Sequence, residues 1–319
     1  MKKTIVFSLF MLSLVFFGCS KSNAGRQMNL IMATGGTSGT YYSFGGALAQ
    51  VLSSSLEGVS INVQSTGASV ANLRLVSTND ADLAIVQNDV MSYAYTGTEN
   101  FEKNSITKFK PIATLYPEVC QIVASASSGI KTVYDMKGKR ISVGDIGSGT
   151  EANARQILSE YGIEFSDITV QNLGFGDSAT ALKDGKIDAA FVTAGIPTTA
   201  VMELATTNDI VLVPVDPDQA SNIIAKYPFY VYVDIPADTY RGVPETIHTL
   251  AVKATLIASP SLDDKLVYSI TKTLFDRQND LAVSHAKGKE LNVENAVQGI
   301  SVPMHSGAEK YYREIGLVE

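Results

Sequence analysis

Short apolar runs alternate along the chain with segments whose apolar residues recur at the spacing of a helix. The run 28–33 precedes a helical pattern at 44–52, and a second helical pattern at 70–76 precedes the run 83–86. This order predicts a parallel sheet with helices on its faces. The uninterrupted run 83–86 is typical of a strand that is covered on both sides. Ligands of such sheets bind beyond the carboxyl ends of the strands.

The pattern of the first half of the chain recurs in the second half. A Ser-Gly-Thr corner between an apolar run and a helical segment occurs twice, and two further landmarks follow each corner in the same order. The matched segments are 38–40 with 148–150, 67–69 with 176–178, and 82–86 with 188–192, at offsets of 110, 109 and 106 positions. We interpret the repeat as two α/β lobes of similar build that aim loops at each other.

The chain is predicted to pass between the lobes twice. The first passage consists of two extended segments, 110–115 and 119–124, around Tyr116-Pro117-Glu118, and the second is the extended run 249–258. Two such passages make a two-strand hinge, as in binding proteins that close like a clamshell. Five prolines between 214 and 244 predict short segments there rather than long helices. The predicted lobe boundaries are 28–118 with 251–319 for lobe one, and 119–250 for lobe two.

The first 19 residues have the pattern of an export signal. Two lysines precede an apolar stretch at 5–17, which is followed by Gly18-Cys19. A small residue before Cys resembles a bacterial lipobox, so we expect Cys19 to be acylated and to anchor the chain to a membrane. An ordinary secretory signal or an uncleaved anchor is the alternative. Residues 20–27 are polar and small, as a tether would be.

The composition is that of a globular protein that does not bind nucleic acid. The 319 residues are 45% hydrophobic and carry a formal net charge of -7, and their basic residues are not clustered. If Cys19 carries lipid, Cys120 has no cysteine partner, so no disulfide is expected. Cys120 lies in an apolar run and is expected to be buried. We expect a monomer.

The glycine-rich loop 35–42 is the strongest candidate for a binding element. It joins a strand to a helix, so unpaired N–H groups and the positive end of the helix dipole would face a small anion. A loop that merely caps its own helix is the alternative. Tyr41, Tyr42 and Tyr116 either wall the pocket or pack the hinge.

Motifs of catalysis and of cofactor binding are weak in this sequence. Ser38 and Ser148 do not lie in a G-x-S-x-G turn, the three histidines are far away in sequence, and zinc and Ca²⁺ patterns are missing. Segment 147–152 matches G-x-G-x-x-A after a strand, but the acidic residue of a dinucleotide site does not follow. We therefore expect no enzyme activity, no metal and no cofactor.

Charged residues near the expected cleft bear on the chemistry of the ligand. Glu118, Asp145 and Glu151 would repel a second carboxylate and could pair with an amine, which favours an amino acid over a plain diacid. Arg74 and Arg155 lie just inside their helices and either assist in binding an anion or face solvent.

Four segments together resemble the TAXI group of solute receptors for TRAP transporters: 34–42, 65–73, 84–89 and 147–155. The resemblance extends over nearly the whole mature chain. It implies an α/β type II periplasmic binding protein with two Rossmann-like lobes joined by a two-strand hinge. It also implies capture of a small organic anion, such as glutamate or a related dicarboxylate, and delivery to TRAP membrane permease subunits that an ion gradient drives. The location would be the bacterial periplasm or cell envelope.

The predicted ligand-binding residues lie in loops that the two lobes aim at each other. Those of lobe one are Thr37, Ser38, Gly39, Thr40, Tyr41, Tyr42, Thr66, Gly67, Ala68, Ser69, Gln87 and Asn88, and those of lobe two are Ser148, Gly149, Thr150, Thr193, Ala194 and Gly195. A receptor that closes around its ligand is the resulting hypothesis. Its rivals are a binding protein for an ATP-driven permease and an enzyme on the same two-lobed scaffold.

Overall fold

The computed structural model describes residues 27–319, so the predicted signal, Cys19 and all of the tether except Gln27 lie outside it. Its strands are β1 (Met28–Ala33), β2 (Val59–Gln64), β3 (Leu83–Gln87), β4 (Lys110–Ser125), β5 (Arg140–Ser142), β6 (Thr169–Gln171), β7 (Ala189–Ala194), β8 (Ile210–Leu212), β9 (Val231–Ile235) and β10 (Ile247–Ala258). Its helices are α1 (Thr40–Ser55), α2 (Ser69–Ser77), α3 (Asn88–Thr96), α4 (Gly149–Glu160), α5 (Phe175–Lys183), α6 (Thr199–Thr207), α7 (Pro217–Lys226), α8 (Asp264–Asp276), α9 (Gln278–Ser284) and α10 (Ser306–Glu314).

The sheet has the same strand order at both ends. Its main path runs β2-β1-β3-β10-β4-β7-β5-β6. In one half β1 pairs in parallel with β2 and β3, and in the other β5 pairs in parallel with β6 and β7. Each half therefore places its first strand between its second and its third, as the sequence repeat predicts.

Two long antiparallel strands join the halves. Residues 254–258 of β10 pair with β3, whereas residues 119–124 of β4 pair with β7. Between these points β4 and β10 pair with each other, with register shifts after Lys253 and Leu256. Both strands thus pass from one lobe into the other. This arrangement confirms the predicted α/β fold with two lobes and a two-strand hinge.

Each lobe has its own apolar cores on the faces of its part of the sheet. Phe44, Leu83 and Tyr312 belong to a core of lobe one, and α8 and α10 pack there. Ile141 and Val192 belong to two different cores of lobe two. Burial of these side chains supplies the main favourable free energy of folding. The boundaries at 118/119 and 250/251 remain a prediction.

Three local predictions differ from the structure. The segment 87–89 is not a loop, because α3 begins at Asn88 directly after β3. The extended segments around Tyr116 form one continuous strand, β4. The proline-rich region contains α7, where Pro217 occupies the first turn. A proline there needs no hydrogen-bond partner for its nitrogen and therefore starts the helix rather than interrupting it.

Two further features concern single segments. Cys120 is fully buried in β4, as predicted, and burial raises the pKa of its thiol far above the usual range. Within residues 27–319, the helices are too short or too polar to cross a bilayer.

Candidate functional site

A cavity lies between the two lobes, at the carboxyl ends of their strands. It offers about 50 Å³ to the centres of water molecules, which is room for a few waters or one small ligand. Both lobes supply its walls. The lining residues are Gly35, Gly36, Ser38, Gly39, Thr40, Tyr41, Ala68, Ser69, Gln87, Glu118, Asp145, Ser148, Gly149, Thr150, Phe175, Thr193 and Ala194.

Five helices begin at this cavity: α1, α2 and α3 from lobe one, and α4 and α5 from lobe two. The N-caps of α1, α2 and α5 are Gly39, Ala68 and Gly174, and none of the three provides a side-chain cap. An uncapped helix start leaves backbone N–H groups available and carries about half a positive charge. Three such ends around one cavity can hold a small anion without a formal cation.

Helix α4, in contrast, is capped by its own residues. The Ser148 hydroxyl accepts the backbone N–H of Glu151 at 3.1 Å, and Glu151 Oε2 accepts the N–H of Gly147 at 2.7 Å. This reciprocal pair satisfies two donors at the start of the helix. Glu151 therefore serves the helix rather than a ligand.

Glu118 brings a carboxyl group from the hinge strand β4 into the cavity. It is 1% exposed, and the Tyr41 hydroxyl donates a hydrogen bond of 2.6 Å to its Oε2. Burial raises the pKa of Glu118 well above the usual range; the Tyr41 hydrogen bond lowers it in part, and the nearby Asp89 raises it further. The Glu118 carboxyl therefore holds a proton more readily than an exposed glutamate does.

Asp145 is the second acid of the cavity. Partial burial raises its pKa, and repulsion by Asp177 adds to the effect. The lining residues within 27–319 include no lysine, arginine or histidine. Arg74 is exposed on α2, and Arg155 pairs with Glu151 at 3.6 Å and stacks on an aromatic ring. Both arginines lie outside the lining.

The lobes are in contact across the cavity, so the structure shows a closed form. The Thr40 hydroxyl donates to the carbonyl of Gly195 at 3.2 Å, and the N–H of Val70 donates to the carbonyl of Gly147 at 3.2 Å. Gly149 approaches Gln87 so closely that a Cβ atom at 149 would lie 2.0 Å from Gln87 Oε1. A Cβ at position 149 would displace the Gln87 side chain, so the glycine allows the two lobes to approach closely at this point.

A buried polar network beside the cavity also joins the lobes. Asn153 on α4 donates to Asp89 Oδ2 on α3 at 3.0 Å and to the Tyr230 hydroxyl at 2.7 Å. Gln156, one turn later, donates to the Tyr93 hydroxyl on α3 at 3.2 Å. Burial raises the pKa of Asp89 to about 6, although the hydrogen bond from Asn153 lowers it in part.

Most of the predicted binding residues line the cavity together. The twelve that do so are Ser38, Gly39, Thr40, Tyr41, Ala68, Ser69, Gln87, Ser148, Gly149, Thr150, Thr193 and Ala194. The two Ser-Gly-Thr corners thus face one shared space. The six predicted residues outside the lining are Thr37, Tyr42, Thr66, Gly67, Asn88 and Gly195. That the lining residues bind a ligand remains a prediction.

Several of the six residues outside the lining have structural contacts instead. Thr66 donates to Asn72 Oδ1 at 2.6 Å. Asn88 accepts the backbone N–H of Lys253 at 2.9 Å and so ties α3 to the hinge. Thr37 is exposed. Thr66 and Asn88 therefore hold local structure in place, and none of the three residues lines the cavity.

Phe175 of the cavity wall was not predicted from the sequence, and two possible roles were left open for Tyr116. Phe175, the first residue of α5, lines the cavity and lies against Gly39 of the other lobe. Its only sequence signal is its place before Gly176-Asp177-Ser178, the counterpart of 67–69. Tyr116 lies outside the lining and packs edge-to-face on Phe44 at 5.0 Å, which favours the packing role.

One serine and one histidine approach each other, but their hydrogen bonds do not fit a nucleophile and its base. Ser43 Oγ lies 3.0 Å from His285 Nε2, while His285 Nδ1 accepts the backbone N–H of Lys287. The proton of a neutral ring is then on Nε2, where a general base must have none. Burial and Lys287 lower the pKa of His285 and favour that neutral ring. Among the described residues no acid, histidine and cysteine cluster could hold a metal.

Three solved structures share this fold at low sequence identity. The periplasmic aliphatic sulphonate binding protein SsuA from Escherichia coli has a TM-score of 0.52 and 16% identity, over 90% of this chain and 83% of its own. PhnD1 from Prochlorococcus marinus, in complex with methylphosphonate, has a TM-score of 0.56 and 12% identity, over 92% and 100%. An ABC uptake transporter substrate binding protein from Streptococcus pneumoniae with bound histidine has a TM-score of 0.50 and 16% identity, over 83% and 94%.

A family model assigns the chain to a protein family, which the similarity to these distant structures does not. It matches residues 32–316 and so covers both lobes, the hinge and every residue of the cavity wall. The chain therefore belongs to the NMT1-like family.

Proposed function

We propose that this protein is an extracytoplasmic solute receptor, which captures a small organic ligand by closing its two lobes. The observation that carries the proposal is the cavity itself, because residues from both lobes and the starts of five helices enclose it. Such a site releases its ligand only when the lobes part, as a receptor that delivers a solute requires. The contacts of Ser43 and His285 favour binding over catalysis.

The ligand proposed for this site is a small organic anion, with glutamate or a related amino acid as the leading class. The uncapped starts of α1, α2 and α5 favour a negatively charged group. The small volume of the cavity disfavours large ligands. The names of the similar structures mention sulphonate, methylphosphonate and histidine, which are also small and polar.

For the permease we propose an ATP-driven ABC-type system. The similar protein from Streptococcus pneumoniae is described as the substrate binding protein of an ABC uptake transporter, which supports an ABC-type permease over a TRAP-type permease. A TRAP-type permease is the second candidate, because the loop segments resemble TAXI receptors. Uptake into membrane vesicles separates the two, since an ABC-type system requires ATP whereas a TRAP-type system requires only an ion gradient.

We also propose that the protein works in the periplasm or cell envelope, attached through lipid on Cys19. The similar protein from Escherichia coli is described as periplasmic, which supports the location. The anchor rests on the sequence pattern at Gly18-Cys19 alone. Replacing Cys19 by serine should release the protein from the membrane fraction if the anchor is correct.

The receptor function predicts that one class of small molecule stabilises the protein strongly. A ligand at about 100 times its dissociation constant should add roughly 2.7 kcal/mol to the free energy of unfolding. A thermal-shift panel of amino acids, dicarboxylates, sulfonates and phosphonates measures this, and mass spectrometry of molecules released on denaturation identifies a ligand that copurifies. Stabilisation by none of these classes, together with turnover of a bound metabolite, would contradict the proposal.

A further inference from the structure

Two buried side chains of the cavity have hydrogen-bonding capacity that the described chain does not use. Gln87 is 2% exposed, and its Oε1 is buried without a partner. Its side-chain amide makes no hydrogen bond with any of residues 27–319; only its backbone N–H is bonded, to Ser69 Oγ at 3.1 Å. Within the same range, the Glu118 carboxyl receives a single side-chain hydrogen bond, from Tyr41.

Acceptors that remain unpaired after burial are costly to a protein, so their partner is expected to be a ligand. A carboxylate and an amide oxygen both accept hydrogen bonds, and an ammonium group offers three donors and no acceptor. A ligand carboxylate would instead meet the acids Glu118 and Asp145 in a lining without a basic side chain. The chemistry of this part of the cavity therefore selects a cationic nitrogen.

The rest of the cavity can bind a negatively charged group of the ligand. The starts of α1, α2 and α5 present backbone donors to a ligand anion. A compact molecule that carries both an ammonium group and an acidic group satisfies both parts of the site. A molecule with acidic groups alone leaves the two acceptors unpaired.

We propose that Glu118 and Gln87 form a subsite for the ammonium group of the ligand. The inference rests on the receptor function proposed above and narrows its ligand to zwitterions, with plain dicarboxylates excluded. The ammonium group of the ligand offsets the burial of Glu118 and favours its charged form. Tyr41 orients the Glu118 carboxyl group through the hydrogen bond to Oε2, and Gln87 accepts a second N–H of the ligand.

Calorimetric titration of the purified protein with matched pairs tests this assignment. L-glutamate is compared with glutarate, and L-alanine with propionate, because each pair differs only in the amino group. The amino member of at least one pair should bind at least tenfold more tightly than its partner. Glu118→Gln keeps an acceptor for Tyr41 but removes the charge, and should weaken that amino ligand about tenfold while leaving its partner unchanged.

Two further variants keep the result interpretable. Asp145→Asn is the matched control at the other acid of the cavity, and the preference for the amino ligand should survive it. Gln87→Met replaces the amide by an apolar chain of similar length, and provides a second test if Glu118→Gln fails to fold in thermal unfolding.

The possible outcomes separate the two proposals. Equal binding of the two members of every pair that binds, a copurifying ligand without a basic nitrogen, or loss of the preference in Asp145→Asn but not in Glu118→Gln would overturn the ammonium subsite and leave the receptor function standing. A protein that carries and binds no small molecule of any class would overturn both.

Discussion

Asp89→Asn should stabilise the closed, folded protein at neutral pH by about 3 kcal/mol. Burial raises the pKa of Asp89 from 3.8 to about 6, so the closed state binds the proton more tightly than states in which Asp89 meets water. Where the closed state holds more protons, stability falls as pH rises. The free energy of unfolding therefore decreases between about pH 4 and pH 6, and the decrease persists above pH 6. Its size is set by the difference between the pKa values of Asp89 in the folded and unfolded states.

Denaturant unfolding at a series of pH values measures this effect. The wild-type free energy of unfolding should fall between pH 4 and pH 6. It should depend less on pH in Asp89→Asn, because the substituted side chain does not titrate. The amide oxygen introduced by this substitution can still accept the hydrogen bond from Asn153, so the link between the lobes is kept. Asp209→Asn, at an exposed carboxylate, should change stability by less than about 0.5 kcal/mol. Equal stabilities of wild type and Asp89→Asn at pH 8 would contradict the account.

Gly149→Ala should weaken ligand binding about 100-fold, or about 3 kcal/mol. A Cβ at 149 would lie 2.0 Å from Oε1 and 2.3 Å from Cδ of Gln87, which belongs to the other lobe. Gln87 is 2% exposed and lines the cavity, so its side chain can yield only by moving into the space of the ligand. The substitution therefore acts on closure, whereas each lobe alone should still fold.

Calorimetry with the copurifying ligand measures the loss of affinity, and unfolding of the unliganded protein checks that the lobes are intact. Gly46→Ala is the matched control, because a Cβ at that position of α1 meets nothing within 4 Å. Alanine in a helix interior should stabilise the protein by about 0.5 to 1 kcal/mol and leave affinity unchanged. Wild-type affinity in Gly149→Ala would mean that the two lobes do not meet at this point when the ligand is bound.

The fold was predictable from the sequence because its main signals are local. An apolar run, a glycine corner and a helical pattern identify β1 and α1, and the second set of the same signals identifies β5 and α4. The position of α3 was not predictable in this way. Its first residues, Asn88 and Asp89, are polar and look like a loop, but both are buried by hinge and lobe-two residues that are distant in sequence.

The site was predictable only at the level of its loops. Sequence reasoning placed both Ser-Gly-Thr corners at one cavity, but it could not tell which loop residues face inward. Thr66 and Asn88 are directed to backbone and side-chain partners within lobe one. Phe175 reaches the cavity because α5 begins at this residue, before the landmark 176–178. Such orientations depend on packing between elements, which no local pattern encodes.

Pulsed electron paramagnetic resonance between two spin labels tests the central claim, that the lobes close on a small ligand. Labels at Glu57 on lobe one and Lys183 on lobe two occupy exposed positions, and Cys120 is buried; Cys19→Ser removes the remaining thiol. We expect a broad distribution with longer distances after the ligand is removed by unfolding and refolding. Adding back the extracted ligand should give one narrow, shorter distance that matches this structure, and an identical distribution with and without ligand would contradict the account.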